Sequence, residues 1–508
     1  MPSSGLAGSR MPSATTTSGT TSGTTSGTTH ELDATPSRRQ DARHPRHPRD
    51  PMQSPASGYE VPESYLNLPE VEAVSTIQDR NELSRLDSRS IEELASRLRI
   101  DAETPELRGD SLAGGQLQQH VSPVQPLEPE PAITPLSKWA TEFYTVSYLV
   151  LFAIFGTLAR LGLQALTFYP GAAIPFSSIW PNFGGTLIIG FLTEDRMLFW
   201  HERGSSTPTY SQQPAKMRID DDKAGSPHSQ RVAQDLAATK KAHLAFKKTI
   251  PLYIGLATGF CGSFTSFSSF VRDVFLALSD DLPMPDGAST PRNGGYSFLA
   301  LLAVTLGTVS LSFSGFYLGT HLAEALEPVM PSLRYPLSRK FLDPLAVVLG
   351  WGSWVGAIIL SIIPPDRYSN PGSSEFWRGR ATFALVFAPL GCLARFYAST
   401  HLNGRFAAFP LGTFAVNIAG TAVLGMAWDL AHVPEGGVVG CQVLQGIEDG
   451  FCGCLTTVST WIVELVVLGR RKAYVYGGVS VISALLLMIV IMGSLRWTQG
   501  FSALLCVH

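Results

Sequence analysis

The sequence predicts an all-α membrane protein: two inverted four-helix repeats joined by a single linking transmembrane helix, preceded by a disordered N-terminal tail. Three observations carry this. Long runs free of Asp, Glu, Lys and Arg begin at residue 143 and recur to residue 495. The phrase "GFCGSFTSFSSF" at 259–270 returns as "GFCGCLTTVSTW" at 450–461, identical at six of twelve positions. A single apolar run lies between the two copies, so the copies cross the membrane in opposite senses.

The tail comes first. Residues 1–138 are rich in Ser, Thr, Pro, Gly and charge and include "TTTSGTTSGTTSGTTH". Such a composition buries too little apolar surface to offset the entropy of ordering. Within it, "SIEELASRLRI" at 90–100 has the spacing of a short amphipathic helix. No charged-then-apolar signal opens the chain, so the tail is expected in the cytosol.

Seven runs follow without a charge: 143–159, 175–193, 249–271, 296–320, 345–363, 406–428 and 473–495. About 20 apolar residues span the hydrocarbon core, so each is a transmembrane candidate. Two weaker candidates contain charges: 381–400 has Arg395, and 443–468 has Glu448, Asp449 and Glu464. Nine helices are therefore expected. The 201–249 loop carries nine Lys or Arg residues; later loops on the same side carry Arg334, Arg339 and Lys340, then Arg470, Arg471 and Lys472. The opposite loops are poorer in cations, except for Arg367, Arg378 and Arg380. By the positive-inside rule the N-terminus is cytosolic and the C-terminus outside.

Composition narrows the partners. Of 508 residues, 45% are hydrophobic and the net charge is −3, which argues for a lipid bilayer and against nucleic acid. The six cysteines lie mostly in apolar segments and read as small buried hydrophobes. Cys452 and Cys454 have no second Cys or His pair nearby to complete a metal site. With no G-x-S-x-G, H-E-x-x-H or phosphate-cradling loop, an enzyme is not expected.

The duplication extends beyond the phrase. "GTLAR" at 156–160 matches "GCLAR" at 391–395, and "NFGGT" at 182–186 matches "NIAGT" at 417–421. Arg160 to Asn182 and Arg395 to Asn417 are both 22 residues. Asn182 to Gly262 is 80 residues against 36 for Asn417 to Gly453, and the excess fits the 201–249 loop as an insertion. The repeats cover 143–326 and 381–497, with the linking helix at 342–363. A twofold axis in the membrane plane puts a shared site near the midplane, where the two phrases meet.

Residue types at that axis allow two readings each. The small residues and hydroxyls of the phrases serve close helix packing, or they let the backbone unwind and free carbonyls for a small hard cation and amides for an anion. Asn182 and Asn417 are interhelical glue or donors to a dehydrating anion. Arg160 and Arg395 end their apolar runs, snorkelling to headgroups or forming an electropositive vestibule. Phe267 and Phe270 share a helical face, as packing or as ring edges lining an anion path.

These motifs resemble the Fluc (CrcB) family of fluoride channels, especially its fused eukaryotic members. The family reads G-x-x-x-R, then N-x-x-G, then G-F-C-G-G-x-T-T-F-S-T-F; the likeness covers 143–497. It implies passive, selective release of cytosolic fluoride by one fused chain, most naturally at the plasma membrane, conferring fluoride resistance. The implied fluoride pathway takes in Phe267, Phe270, Asn182, Asn417, Ser268, Thr456 and Thr457, and a polar set on the fourth helix, Ser310, Ser312 and Ser314. A structural sodium ion is implied on carbonyls of Gly262, Thr265, Gly453 and Thr456. Val458 and Trp461 replace family phenylalanines, which implies one degenerate pore beside an intact track in the first copy. The alternative is an inverted-repeat secondary transporter of small organic cations, which wants a mid-membrane Glu; Glu194 and Asp195 lie near a helix end, and Glu448, Asp449 and Glu464 flank the second phrase. A third reading is a membrane scaffold whose tail acts.

Overall fold

The computed structural model describes residues 59–68, 136–174, 176–199, 245–283, 292–333, 337–363, 381–406, 408–433 and 437–506. Nine long helical elements run through the described residues: α1 (Lys138–Thr167), α2 (Ile179–Glu194), α3 (Pro251–Ser279), α4 (Gly294–Leu326), α5 (Ser338–Ile362), α6 (Phe383–Leu402), α7 (Leu411–Ala431), α8 (Gly437–Val467) and α9 (Arg470–Thr498). Eight are long and apolar enough to cross a membrane. The exception, α2, has 16 residues, about 24 Å of helix against a hydrocarbon core of about 30 Å. The all-α architecture expected from the sequence is what the chain adopts.

Burial sorts the helices into layers. In α3 and α8, 89% and 83% of the apolar window is buried inside the protein, against 22% for α4, 22% for α5 and 28% for α9. The two helices carrying the duplicated phrase are thus central, and the uniformly apolar ones form the rim that lipid would face. Both central helices are interrupted. In α3 the break falls at Thr265 (φ −88°, ψ 154°), separating α3a (251–264) from α3b (Phe267–Ser279). In α8 it falls at Thr456 (φ −93°, ψ 152°), separating α8a (437–455) from α8b (Ser459–Val467). A π-helical turn precedes each break, Gly255–Cys261 and Ile447–Cys452.

The copies interlock. α1 packs on α6, and α3a packs on α1 as α8a packs on α6. Beyond the breaks the partners exchange: α3b lies against α7 and α9 of the second copy, and α8b against α2 and α4 of the first. The linking helix α5 straddles both copies. Trp351 donates to Ser147 Oγ on α1 (3.0 Å) and Trp354 to the Val386 carbonyl on α6 (2.9 Å).

Two sequence expectations need correction here. Residues 59–68, read as part of a disordered tail, are folded onto the helices. Tyr59 donates to Asp343 Oδ2 on α5 (2.9 Å), Tyr65 packs edge-on against Phe396 of α6 (5.3 Å), and Asn67 donates to the Thr400 carbonyl (2.9 Å). Tyr59, Tyr65 and Leu68 are all buried, so this short piece has the apolar anchors the surrounding composition lacks. The 90–100 segment and most of 201–249 lie outside the described residues. Second, Cys441 at the start of α8 and Cys506 past α9 form a disulfide across 65 residues. The other four cysteines are free and buried, as small hydrophobes.

One lysine of the cation-rich loop is structural. Lys247 is buried, and its Nζ donates to the carbonyls of Leu192 (3.0 Å) and Asp195, capping the C-terminal end of α2. Burial holds its pKa down to about 8, opposed by the neighbouring Asp195 carboxylate. Burial in turn raises the Asp195 carboxyl above its usual range.

Candidate functional site at the crossing of the broken helices

A helix that stops in mid-membrane leaves carbonyls at one end and amides at the other without partners. The two copies satisfy each other. Thr265 Oγ1 accepts from the amides of Val458 (3.2 Å) and Ser459 (3.1 Å), at the start of α8b. Thr456 Oγ1 accepts from the Ser268 amide (3.1 Å) at the start of α3b. Each hydroxyl spends its own proton on a carbonyl four residues back, Cys261 (3.1 Å) and Cys452 (2.9 Å). Each half-helix start therefore has one acceptor from the other repeat beside one of its own: Ser266 Oγ accepts from the Ser269 amide (3.2 Å) and Thr457 Oγ1 from the Thr460 amide (3.4 Å).

The asparagines complete this frame. Asn182 Oδ1 accepts from the Ser266 amide and Asn417 Oδ1 from the Thr457 amide, both at 2.9 Å. Their Nδ2 groups return to the carbonyls of the same two residues, at 3.5 and 3.2 Å. Each Asn thus behaves as a strand edge for one unwound residue. Both readings of these residues meet here, since a side-chain amide has a second N–H to offer.

The arginines are not where snorkelling would put them. α1 and α6 continue seven residues past Arg160 and Arg395, so neither ends its helix, and both are 1% exposed. Snorkelling to headgroups is excluded. Arg395 donates to the carbonyls of Cys454 and Thr258, each at 2.8 Å, and Arg160 to that of Asp449. A Cβ at Gly262 would lie 2.2 Å from Arg395 Nη1, and one at Gly453 2.2 Å from Arg160 Nη1. These glycines let a guanidinium from the opposite repeat lie against the backbone. Arg160 Nε and Nη1 and Arg395 Nη1 are buried donors without a partner among the described residues.

The fourth helix is also corrected. Ser310 and Ser314 face outward, whereas Ser312 is buried. Residues two apart on a helix point in nearly opposite directions, so 310, 312 and 314 cannot line one path. The hydroxyls that share one buried face are Thr305, Thr308 and Ser312, spaced three and four apart and unpartnered among the described residues. The helical period would have found Thr305 and Thr308.

Aromatic positions pair across the copies. Phe267 and Phe270 contact each other edge-on (5.8 Å), but Phe267 also meets Trp461 of the second copy at 5.4 Å and 68°. All three are buried, as is Val458. The first-copy pair Phe267–Phe270 is thus joined by a ring of the second copy. Beyond Trp461, Glu464 is buried and accepts from Thr413 Oγ1 (2.5 Å), Tyr476 OH (2.6 Å) and Asn403 Nδ2 (3.4 Å). The carboxylate that an organic-cation site would need is thus already hydrogen-bonded on both oxygens. Its counterpart, Asp273, lies beside Arg272 (3.3 Å), which also faces Glu448 (3.8 Å).

An interlocked pair of inverted repeats, each broken at its own Thr and clamped by its own Asn, defines a duplicated membrane protein with one shared central site. The chain matches the family described as "CrcB-like protein, Camphor Resistance (CrcB)" over residues 147–320 and 382–494, one segment per repeat. It belongs to that family. It is 51% identical over 488 residues to fluoride export protein 1 of Neurospora crassa, covering 93% of this chain and 89% of that protein. To fluoride export protein 1 of Candida albicans it is 32% identical, covering 68% of this chain and 79% of that one. Over 83 residues it is 41% identical to the fluoride-specific ion channel FluC of Geotalea uraniireducens, covering 16% of this chain and 65% of that one. No solved structure matches the chain.

Proposed function

We propose that this protein is a fluoride channel that lets fluoride leave the cytosol passively, as one fused chain in the plasma membrane. Its relatives' names support the ion. The observation that carries the reading on this chain is the crossing itself: two half-helix N-termini and two buried guanidinium groups meet there, and α4, with the unpartnered hydroxyls of Thr305, Thr308 and Ser312, packs on both half-helices. Among the described residues, neither Arg160 nor Arg395 has a carboxylate within ion-pair distance. Fluoride is small and strongly hydrated, so a path for it must replace water with close donors and a positive field. The buried arginines supply the field without standing in the path.

A structural sodium ion belongs to the same proposal, on carbonyls of Gly262, Thr265, Gly453 and Thr456. In its favour, α3a and α8a end against each other, and the Thr265 and Thr456 carbonyls accept no hydrogen bond among the described residues. The two guanidinium groups over Gly262 and Gly453 make that cation depend on the carbonyls for its stability. Bound there, it would fix the crossing geometry; it takes no part in moving fluoride.

Orientation follows from charge, with a cytosolic N-terminus. The Cys441–Cys506 disulfide supports it, since both cysteines then lie outside, where disulfides persist. The test of function is efflux from liposomes holding the purified chain. Fluoride should leave and chloride should stay; equal release of both would refute the assignment.

A further inference from the structure

The aromatic contact between the copies contains a donor. Trp461 is 2% exposed, and its Nε1 makes no hydrogen bond among the described residues. A buried N–H left unmade costs about 1–3 kcal/mol, a cost that phenylalanine in the same place would not carry. The indole is wedged edge-to-face against Phe267 on one side, and on the other its Cζ2 lies 3.6 Å from where a Cβ at Gly477 of α9 would stand. One turn further along α8b stands Glu464 with the hydroxyls of Thr413 and Tyr476.

We propose that the indole N–H of Trp461 donates to fluoride in transit, so that the Phe267–Trp461 contact is an anion subsite. This rests on the fluoride reading above. Three features favour it. Indole N–H is a donor with no acceptor lone pair, so its hydrogen bond serves an anion and not a cation. The Phe267 ring beside it presents an electropositive edge to the same ion. The corresponding positions of the other copy are Phe270 and Val458, neither of which has a polar hydrogen. The tryptophan that replaces a family phenylalanine is then an added ligand, and the route it lines conducts.

The test compares Trp461→Phe with Trp428→Phe in fluoride-loaded liposomes. Among the described residues Trp428 has the other buried indole N–H without a partner, on α7 against Arg272 and His432, so its loss controls for merely deleting such a group. Trp461→Phe should slow fluoride release about tenfold or more, while Trp428→Phe releases fluoride at the wild-type rate. The wild-type chain, labelled with ¹⁵N in its nine indoles, should show one N–H resonance that moves with fluoride and not with chloride, absent from Trp461→Phe. Should Trp461→Phe not assemble, the wild-type titration alone decides, and no moving indole overturns the proposal. Wild-type rates in Trp461→Phe, with loss on Thr308→Val or Ser312→Ala instead, would move the ion to the α4 side and overturn it. A wild-type chain that releases no fluoride would overturn the functional reading itself.

Discussion

Replacing Thr265 by valine removes one hydroxyl and keeps the branched shape. In the structure that hydroxyl accepts two backbone amides of the opposite repeat, Val458 and Ser459, in a site closed to water. An unmade buried donor costs about 1–3 kcal/mol, so Thr265→Val should lose about 2–6 kcal/mol. The matching change, Thr456→Val, strands one amide, that of Ser268, and should lose about 1–3 kcal/mol. The order is the informative part, because sequence symmetry alone predicts equal effects. Thermal unfolding in detergent, followed by size-exclusion elution of the fluorescently tagged chain, reads it out. Thr265→Val should unfold at the lowest temperature, Thr456→Val between it and wild type, and Thr265→Ser close to wild type because it keeps the acceptor. Wild-type unfolding of Thr265→Val, or a larger loss in Thr456→Val, would refute reciprocal capping.

Three further outcomes follow from the frame. Removing residues 1–58 should leave the unfolding temperature unchanged while removing 1–68 lowers it, because Tyr59, Tyr65 and Asn67 hold α5 and α6; equal temperatures would remove the anchoring role. Lys247 has a folded pKa of about 8 against 10.5 for the ordinary side chain, so between those values the unfolded chain holds the proton that the folded one has lost. Its contribution to stability therefore rises with pH across that window and is lost as pH falls to about 8. The unfolding temperature of wild type relative to Lys247→Met should increase from pH 7.5 to pH 10, and a flat difference would refute the assignment. A membrane-impermeant reductant applied to intact cells should expose Cys441 and Cys506 to maleimide labelling; labelling only after permeabilisation would reverse the proposed orientation.

Much of this was legible in the sequence, and the exceptions share a physical cause. Charge-free runs and a repeated phrase are one-dimensional signals, so the helices, the duplication and the breaks could be read from them. The arginines were misplaced because a cation at the end of an apolar run looks like a helix end. Here α1 and α6 continue past Arg160 and Arg395 to Thr167 and Leu402. The Ser310–Ser312–Ser314 set failed because alternation is a strand pattern, and only Ser312 shares a face with Thr305 and Thr308. The Cys441–Cys506 pair and the docking of 59–68 join residues far apart in the chain, with no local periodicity to report them. Aromatic pairing across the copies needed the interlock, which no run of residues encodes.

The interlock also explains why the two copies match at some positions and differ at others. Asn182 and Asn417, Thr265 and Thr456, Gly262 and Gly453, and Arg160 and Arg395 occupy equivalent places and are the same residue types. Three of these pairs reach into the opposite repeat or receive a group from it: the threonines cap the other half-helix, and the glycines admit the other repeat's guanidinium. A change at such a position disturbs both repeats at once, so the frame holds the pair together. Phe267 and Val458, Phe270 and Trp461, and Asp273 and Glu464 are also equivalent places, yet they differ. Phe267 meets both Phe270 of its own copy and Trp461 of the other, so the ring cluster is unequal in what the two copies give it. A substitution at one of these positions changes what one copy contributes and leaves the equivalent residue of the other in place. Fusion into one chain makes that freedom available, because two identical subunits would carry every substitution in both copies.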